Sequence, residues 1–236
     1  MTALHAATKA GDVEEVRHLL AAGADPMYSD GEGLPIHDAF SYKSESVTFP
    51  LVRLYLEAGV PATAVDCDRR SVLQYACMWS TAPVVSALLD AGAAATINVV
   101  DGFGYTAVHD ALVNLTPDRD AVLRLVLDAG ADMDQRQGPF AEVMIHAAIY
   151  RRSYHPYREK WRETAALLLL EHGADWHVPT HRGSTLLHLA AEAGMKQVVA
   201  WLLAAGADVW SRDEEGRTPL ELATEGGCRY LLTITR

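Results

Sequence analysis

The residues of this chain that could do metal or acid–base chemistry are above all its histidines, ten in 236 residues. Three of them, His172, His177 and His181, lie close together in the sequence. Their spacing does not place them on one helix face, and neither a cysteine nor a second carboxylate completes a ligand set, whereas zinc needs at least three ligands that converge on one point. We therefore expect no metal site and no cofactor.

Two short patterns imitate catalytic motifs. The stretch GFGYTA at residues 102–107 fits G-x-G-x-x-A, but a dinucleotide fingerprint follows a buried strand and opens a βαβ unit, and this chain offers neither. Ser184 and His188 are one helical turn apart, which fits a helix cap better than a nucleophile and its base. The sequence contains no P-loop, HExxH or GxSxG motif. We expect that the chain is not an enzyme.

Most of the histidines instead occupy one recurring position. The stretch STLLHLAA at residues 184–191, followed by GAD at 206–208, recurs with a period of about 33 residues. We call the His position of this pattern the anchor; it is held in turn by His5, His37, Gln74, His109, His146, His188 and Glu221. The glycine of the GAD turn recurs as Gly23, Gly59, Gly92, Gly130, Gly173 and Gly206.

The spacing of these two positions indicates stacked helical hairpins. The anchor precedes its glycine by 18 residues for His5, Gln74 and His188, and the longer units carry their extra residues in one loop. Threonine or serine before the anchor can cap a first helix. Leucine pairs give the second helix an apolar stripe, which glycine ends. A unit of this size cannot bury its apolar face alone, so neighbouring units must stack.

The recurring unit resembles the ankyrin repeat, which opens with T-P-L-H-x-A and closes with G-A-D. TALHAA at residues 2–7 and TPLELA at 218–223 match it closely, and LPIHDA at 34–39 and TAVHDA at 106–111 match with single departures. The resemblance implies an all-α fold: an ankyrin-repeat solenoid of stacked helix-turn-helix units with short β-hairpin fingers. We expect one domain over residues 1–236, with units at approximately 1–29, 30–66, 67–101, 102–136, 137–180, 181–213 and 214–236.

The resemblance also implies roles for individual residues. Anchor histidines in this family are structural and hydrogen-bond between the capping threonine and a neighbouring finger, the turn that precedes each first helix. Partners of the family usually bind the fingers and the exposed face of the first helices, which implies a protein partner here. Large side chains at these positions predict a central binding patch: Tyr42, Trp79, Phe103, Tyr105, Phe140, Tyr150 and Arg151. The alternative is that Trp79 or Phe140 packs as core against an adjacent finger.

Insertions between the paired helices are further candidates for function. Residues 150–162 hold five of the twenty basic residues and four aromatic residues. Because Arg, Tyr and Trp carry much of the energy of protein interfaces, we predict a recognition loop that includes Tyr154 and Arg158; the alternative is a lengthened, solvated helix pair. Residues 44–48 are predicted to form a polar surface loop. In the fourth unit, Thr116 or Asp118 is predicted to start the second helix.

Charge and composition restrict the class of partner. The net charge of −11 argues against nucleic acid and anionic membranes, and a basic partner suits it better. Three cysteines without CxxC spacing indicate a reducing compartment, so we expect a cytoplasmic monomer, without a membrane span. Two narrower functions stay open, an inhibitor or immunity-type protein that covers a basic toxin or enzyme, and an adaptor. A nucleic-acid binder would depend on residues 150–162 alone.

Overall fold

The computed structural model describes residues 1–41, 44–134, 144–149, 159–180, 182–224 and 226–234. Within these ranges the chain forms fourteen α-helices and two 3₁₀ turns, and the β-structure is limited to an antiparallel bridge between Val65 and Ser71. The predicted all-α fold is confirmed. The described fingers are turns closed by hydrogen bonds, and only that bridge gives one of them hairpin character. None of the described helices combines the length and the apolarity that a membrane span requires.

The helices follow one another as hairpins with a shorter first helix and a longer second one. In the first compact unit, residues 1–132, the pairs are α1 (Ala3–Ala10) with α2 (Val13–Ala21), α3 (Pro35–Asp38) with α4 (Glu45–Glu57), α5 (Val72–Trp79) with α6 (Ala82–Asp90), and α7 (Ala107–Val113) with α8 (Arg119–Asp128). In the second compact unit, which begins at Met133, they are α9 (Met144–Ile149) with α10 (Glu159–Glu171), α11 (Leu186–Glu192) with α12 (Lys196–Ala204), and α13 (Pro219–Leu222) with α14 (Gly226–Ile234).

Helix α5 begins after a capping side chain and helix α12 ends before a glycine, as the sequence predicted. Ser71 caps α5, because its hydroxyl accepts the backbone N–H of Gln74 at 3.1 Å while the Gln74 Oε1 accepts the Ser71 N–H at 3.1 Å. This reciprocal pair satisfies two donors that a helix start leaves unpaired. The second helix α12 ends before Gly206, whose φ of +89° lies in the left-handed region that side chains adopt only with strain.

The core of each compact unit contains a row of side chains from the second helices. The residue four positions before the glycine of the GAD turn is fully buried in α4, α6 and α8, as Tyr55, Leu88 and Val126, and again in α10 and α12, as Leu169 and Leu202. The position is always four residues before the glycine that ends the helix, which is about one helical turn. The side chain therefore faces the same way in each second helix. Within each compact unit, stacking of hairpins therefore joins the apolar stripes of the second helices.

Two anchor histidines, His5 and His188, hydrogen-bond to the finger of the following repeat. His188 is fully buried; its Nδ1 accepts the backbone N–H of Thr185 at 3.2 Å, and its Nε2–H donates to the carbonyl of Arg217 at 2.9 Å. The Nε2–H of His5 donates in the same way to the carbonyl of Gly33 at 3.2 Å. Because Nδ1 of His188 accepts and Nε2 donates, that ring must be neutral. The structural role that the resemblance implies is present at both residues.

Glutamine performs the same function in the third repeat. The Nε2 of Gln74 donates to the carbonyl of Tyr105 at 2.9 Å, while its Oε1 holds the cap of its own helix. An amide and a neutral imidazole each offer one acceptor and one donor, so they can link the same two backbone groups.

The insertions are accommodated in different ways. Residues 45–48, predicted as part of a surface loop, form the first turn of α4 instead, so that prediction was wrong. The physical reason is the buried Thr48, whose hydroxyl donates to the carbonyl of Ala39 at 3.2 Å. In the fourth repeat, Asp118 is the residue before α8, as predicted. The extra residues there are held by buried Asn114, whose amide donates to the carbonyls of Cys77 and Ser80 at 2.8 and 2.9 Å.

Replacement of the anchor in α11 tests the link between repeats. We expect His188→Ala to lower the free energy of unfolding by roughly 2–4 kcal/mol, because it leaves a cavity and an unpaired buried carbonyl. His188→Gln should retain most of the stability, since Gln74 makes both bonds in its own repeat. Urea unfolding followed by circular dichroism measures both values. Equal losses in the two variants would show that the hydrogen bonds contribute little.

Candidate functional site

The structure describes three of the nine predicted partner-binding residues: Trp79, Phe103 and Tyr105. The other six lie outside the described residues; they are Tyr42, Phe140, Tyr150, Arg151, Tyr154 and Arg158. The candidate site therefore has to be built from the first compact unit, where the fingers precede α3, α5 and α7.

The finger at residues 101–105 exposes the aromatic ring of Phe103 to solvent. The buried carboxylate of Asp101 accepts the backbone N–H groups of Phe103 and Tyr105 at 2.9 and 2.8 Å. The N–H of Gly102 donates to the carbonyl of Asp68 in the preceding finger at 2.6 Å. Phe103 is nevertheless 57% exposed. A fixed backbone that presents an exposed aromatic side chain is suited to binding, because little conformational entropy is lost on association.

The other two predicted residues lie in different surroundings. Tyr105 is half-buried, and its ring meets the ring of His109 edge-on at 5.5 Å. Trp79 is the last residue of α5 and is also half-buried. It lies about 10 Å along that helix from the finger end. The structure thus places Phe103 and Tyr105 on one finger, whereas Trp79 lies at the C-terminal end of α5 in the preceding repeat.

A buried charge cluster behind this finger was missed by sequence reasoning. The Nη2 of Arg70 lies 2.6 Å from Oδ1 of Asp110, and its Nε lies 3.5 Å from Oδ2 of Asp101. Both carboxylates are buried, and the guanidinium also lies 5.4 Å from the centre of the Tyr75 ring. One cation therefore faces two buried carboxylic acid groups.

The protonation of this cluster follows from its burial. Burial raises the pKa of Asp110 to about 7, although the neighbouring Arg70 acts in the opposite direction. Burial lowers the pKa of His109, the residue before Asp110 in α7, to about 4. Both shifts favour the neutral forms, as expected for ionisable groups in apolar surroundings.

A cavity of about 150 Å³ lies beside the two fingers that precede α3 and α5. Its charged and polar lining consists of Asp30, Glu32, Asp38 and Asp66 with His5, His37, Ser41 and Tyr75. Lys9 lies 3.4 Å from Asp38 and 3.8 Å from Glu32, so four carboxylates are matched by one nearby lysine. Burial raises the pKa of Asp38, although the nearby Lys9 acts in the opposite direction. We call this the acidic cavity.

The recurrence of aspartate at the start of the finger is a sequence signal for part of both acidic features, namely for Asp30, Asp66 and Asp101. Asp66 Oδ1 accepts the backbone N–H of Arg70 at 2.8 Å, and Asp213 Oδ1 accepts that of Arg217 at 2.9 Å. These carboxylates organise the finger turns and at the same time place negative charge beside the first helices. Within the described ranges, no three His, Cys, Asp or Glu side chains are grouped so as to hold a metal ion.

Comparisons with known proteins agree with the geometry. A family model of three ankyrin repeats matches residues 42–137 and 158–235, and a single ankyrin-repeat model matches residues 1–31. The chain is 30% identical over 203 residues to the nuclear factor NF-kappa-B p105 subunit of Gallus gallus, covering 83% of this chain and 19% of that protein. It is 30% identical over 188 residues to the B-cell lymphoma 3 protein homolog of Mus musculus, covering 79% and 39%.

A solved structure extends the likeness to nearly the whole chain. The crystal structure of the ankyrin repeat domain of Bcl-3, a member of the IkappaB protein family, matches with a TM-score of 0.68 and 27% identity, covering 99% of this chain and 98% of that one. The chain thus spans less than half the length of the two relatives above, but almost all of this solved domain.

Substitution of Asp110 tests the charge cluster through its pH dependence. Because the pKa of Asp110 is raised from 3.8 to about 7 by folding, its contribution to stability is full below about pH 4 and is lost as the pH rises through 7. Asp110→Asn keeps an oxygen for Arg70 and removes the charge. We therefore expect the variant to be more stable than the wild type at about pH 8, with a gap that closes towards pH 4.

His109 provides an internal check on the sign of this effect. Its lowered pKa means that its contribution is present above pH 6.5 and is lost as the pH falls through about 4, the reverse of Asp110. Urea unfolding at several pH values should therefore show acid destabilisation most clearly in Asp110→Asn. If the variant is less stable than the wild type at pH 8, the ion pair with Arg70 outweighs the cost of burying the carboxylate.

Proposed function

The chain belongs to the ankyrin-repeat family and is a protein–protein interaction module; we propose that it binds its partner through the concave face formed by fingers and first helices, without a cofactor. The proposed contact residues are the nine partner-binding residues predicted from the sequence. Of the three that the structure describes, Phe103 is the most exposed. Among the described residues, the proposed contacts lie in the first compact unit.

One observation carries this proposal: Phe103 is more than half exposed on a finger whose backbone is fixed from two sides. An aromatic ring gains much free energy when it is buried in an interface, and a fixed backbone adds no ordering cost. A surface loop without function would not need an exposed aromatic side chain at this position.

The acidic cavity supports a partner with basic side chains. Four carboxylates and one nearby lysine attract a lysine or arginine side chain, and partial burial strengthens this attraction relative to bulk water. Electrostatic complementarity of this kind raises association rates and rejects acidic partners. The negative charge of the same carboxylates disfavours the binding of nucleic acid.

A narrower candidate is an inhibitor that covers a basic site on an enzyme or toxin. The acidic cavity favours it, since the residues that bind anionic substrates are themselves basic. An adaptor would leave the activity of its partner unchanged, whereas an inhibitor would abolish it, so an activity assay on the captured partner separates the two. A cytoplasmic location and a monomeric state are further parts of the proposal.

The test replaces the exposed ring after the partner has been identified by affinity capture and purified. Phe103→Ala is expected to weaken binding by roughly tenfold or more, with an unchanged melting temperature because the ring lies in solvent. Leu115→Ala is the matched control: Leu115 is 50% exposed in the loop beyond α7, away from the fingers. Isothermal titration calorimetry gives the affinities.

Two results would contradict the proposal. If Phe103→Ala binds as tightly as the wild type, the finger is not part of the interface. If Leu115→Ala weakens binding as much as Phe103→Ala does, the partner contacts the loops between paired helices rather than the fingers.

A further inference from the structure

The second compact unit carries aromatic side chains in α12 and in the turns that follow α10 and α12. Trp176 and His177 lie in the turn after α10, Trp201 lies in α12, and Trp210 lies in the turn after α12. We call these four residues the aromatic edge. None of them belongs to the binding patch that the sequence predicted.

Three of the four rings of the aromatic edge contact one another. Trp176 stacks on His177 with ring centres 3.8 Å apart, and it meets Trp201 edge-on at 6.5 Å. Trp176 and Trp201 are half-buried, while the His177 side chain is 72% exposed and Trp210 is 57% exposed. Exposed aromatic surface supported by half-buried rings is typical of protein interfaces rather than of free surface.

The fold itself does not require aromatic residues at this position. In the turn after α12, the backbone N–H of Trp210 donates to Oδ1 of Asp208 at 2.8 Å. The corresponding turn of the first repeat is closed in the same way, from Met27 to Asp25 at 2.8 Å. The aspartate therefore sets the turn, and the side chain two residues later is free to differ. Tryptophan at this position is not explained by the turn.

Acidic side chains outnumber basic ones beside these rings. The turn segments 171–178 and 204–211 contain Glu171, Asp175 and Asp208 and no lysine or arginine, and the nearby Arg212 donates to the carbonyl of Gly216. All three acidic residues are exposed. Aromatic faces flanked by carboxylates are the surroundings that a guanidinium group prefers, because it stacks on an indole ring and pairs with an acid at the same time.

We propose that the aromatic edge is a second docking surface, which takes arginine side chains from a basic segment of a protein partner. The indole rings of Trp176, Trp201 and Trp210 supply the stacking faces, and Asp175 and Asp208 supply the counter-charges. This surface is distinct from the fingers of the first compact unit, and it can exist whether or not those fingers bind a partner.

A test with residue-level readout uses the full chain labelled with 5-fluorotryptophan and a short peptide of alternating arginine and glycine. Fluorine NMR resolves each tryptophan, and single Trp→Phe variants assign the signals. Titration is expected to shift the signals of Trp176, Trp201 and Trp210. The signal of Trp79 reports separately on the first compact unit, so failure of one surface is distinguishable from failure of the other.

Two substitutions and one control complete the test. Trp210→Ala and Asp208→Asn are each expected to weaken peptide binding, measured at Trp176, by about threefold or more. Asparagine keeps an oxygen for the Trp210 N–H, so the turn is preserved. Met27→Ala, in the corresponding turn of the first repeat, should change nothing.

The proposal is overturned if the arginine peptide does not shift the fluorine signals of the aromatic edge. It is also overturned if Trp210→Ala and Asp208→Asn bind the peptide as tightly as the wild type does. It is also overturned if a peptide of alternating glutamate or leucine with glycine binds as tightly as the arginine peptide. Circular dichroism melting of each variant verifies that the loss of binding occurs in a folded protein.

Discussion

One kind of hydrogen bond connects neighbouring repeats at His5, Gln74 and His188: a buried anchor side chain contacts the cap of its own helix and donates to a carbonyl in the next finger. His188 and Gln74 make it with different chemical groups, which shows that the constraint is one acceptor and one donor at fixed positions rather than a particular residue. Breaking such a bond in the interior leaves a buried carbonyl without a donor, which is costly. Finger and helix are therefore positioned together.

The separation of framework from recognition follows from that constraint. Finger aspartates such as Asp101 bind backbone groups, so the turn does not depend on the side chain at its tip, where Phe103 lies. The same separation applies to the turn at Asp208, which fixes the backbone and leaves Trp210 exposed. In both places, the residues with potential function occupy positions that the repeat does not need for folding. Exposed apolar side chains at such positions are consequently informative.

The repeat period predicted the helices, their caps and the structural role of the anchors, because each of these depends on residues close in sequence. The segment 45–48 was mispredicted, since its polar composition indicated a loop while the burial of Thr48 depends on a contact with Ala39. The cluster around Arg70 was missed for a similar reason: Asp110 is 40 residues away and meets it only when repeats stack in register. Long-range contacts of charged groups are not encoded in the local pattern.

The central claim is that contacts between neighbouring repeats hold the fingers rigid enough to present side chains to a partner. Amide hydrogen exchange of the wild-type chain, read by NMR at Phe103 and Tyr105, tests this most directly, because both N–H groups donate to buried Asp101. Our account predicts protection comparable to that of the helices α5 and α7 on either side. Exchange of these two amides at the rate of an unstructured peptide, with both helices protected, would contradict it.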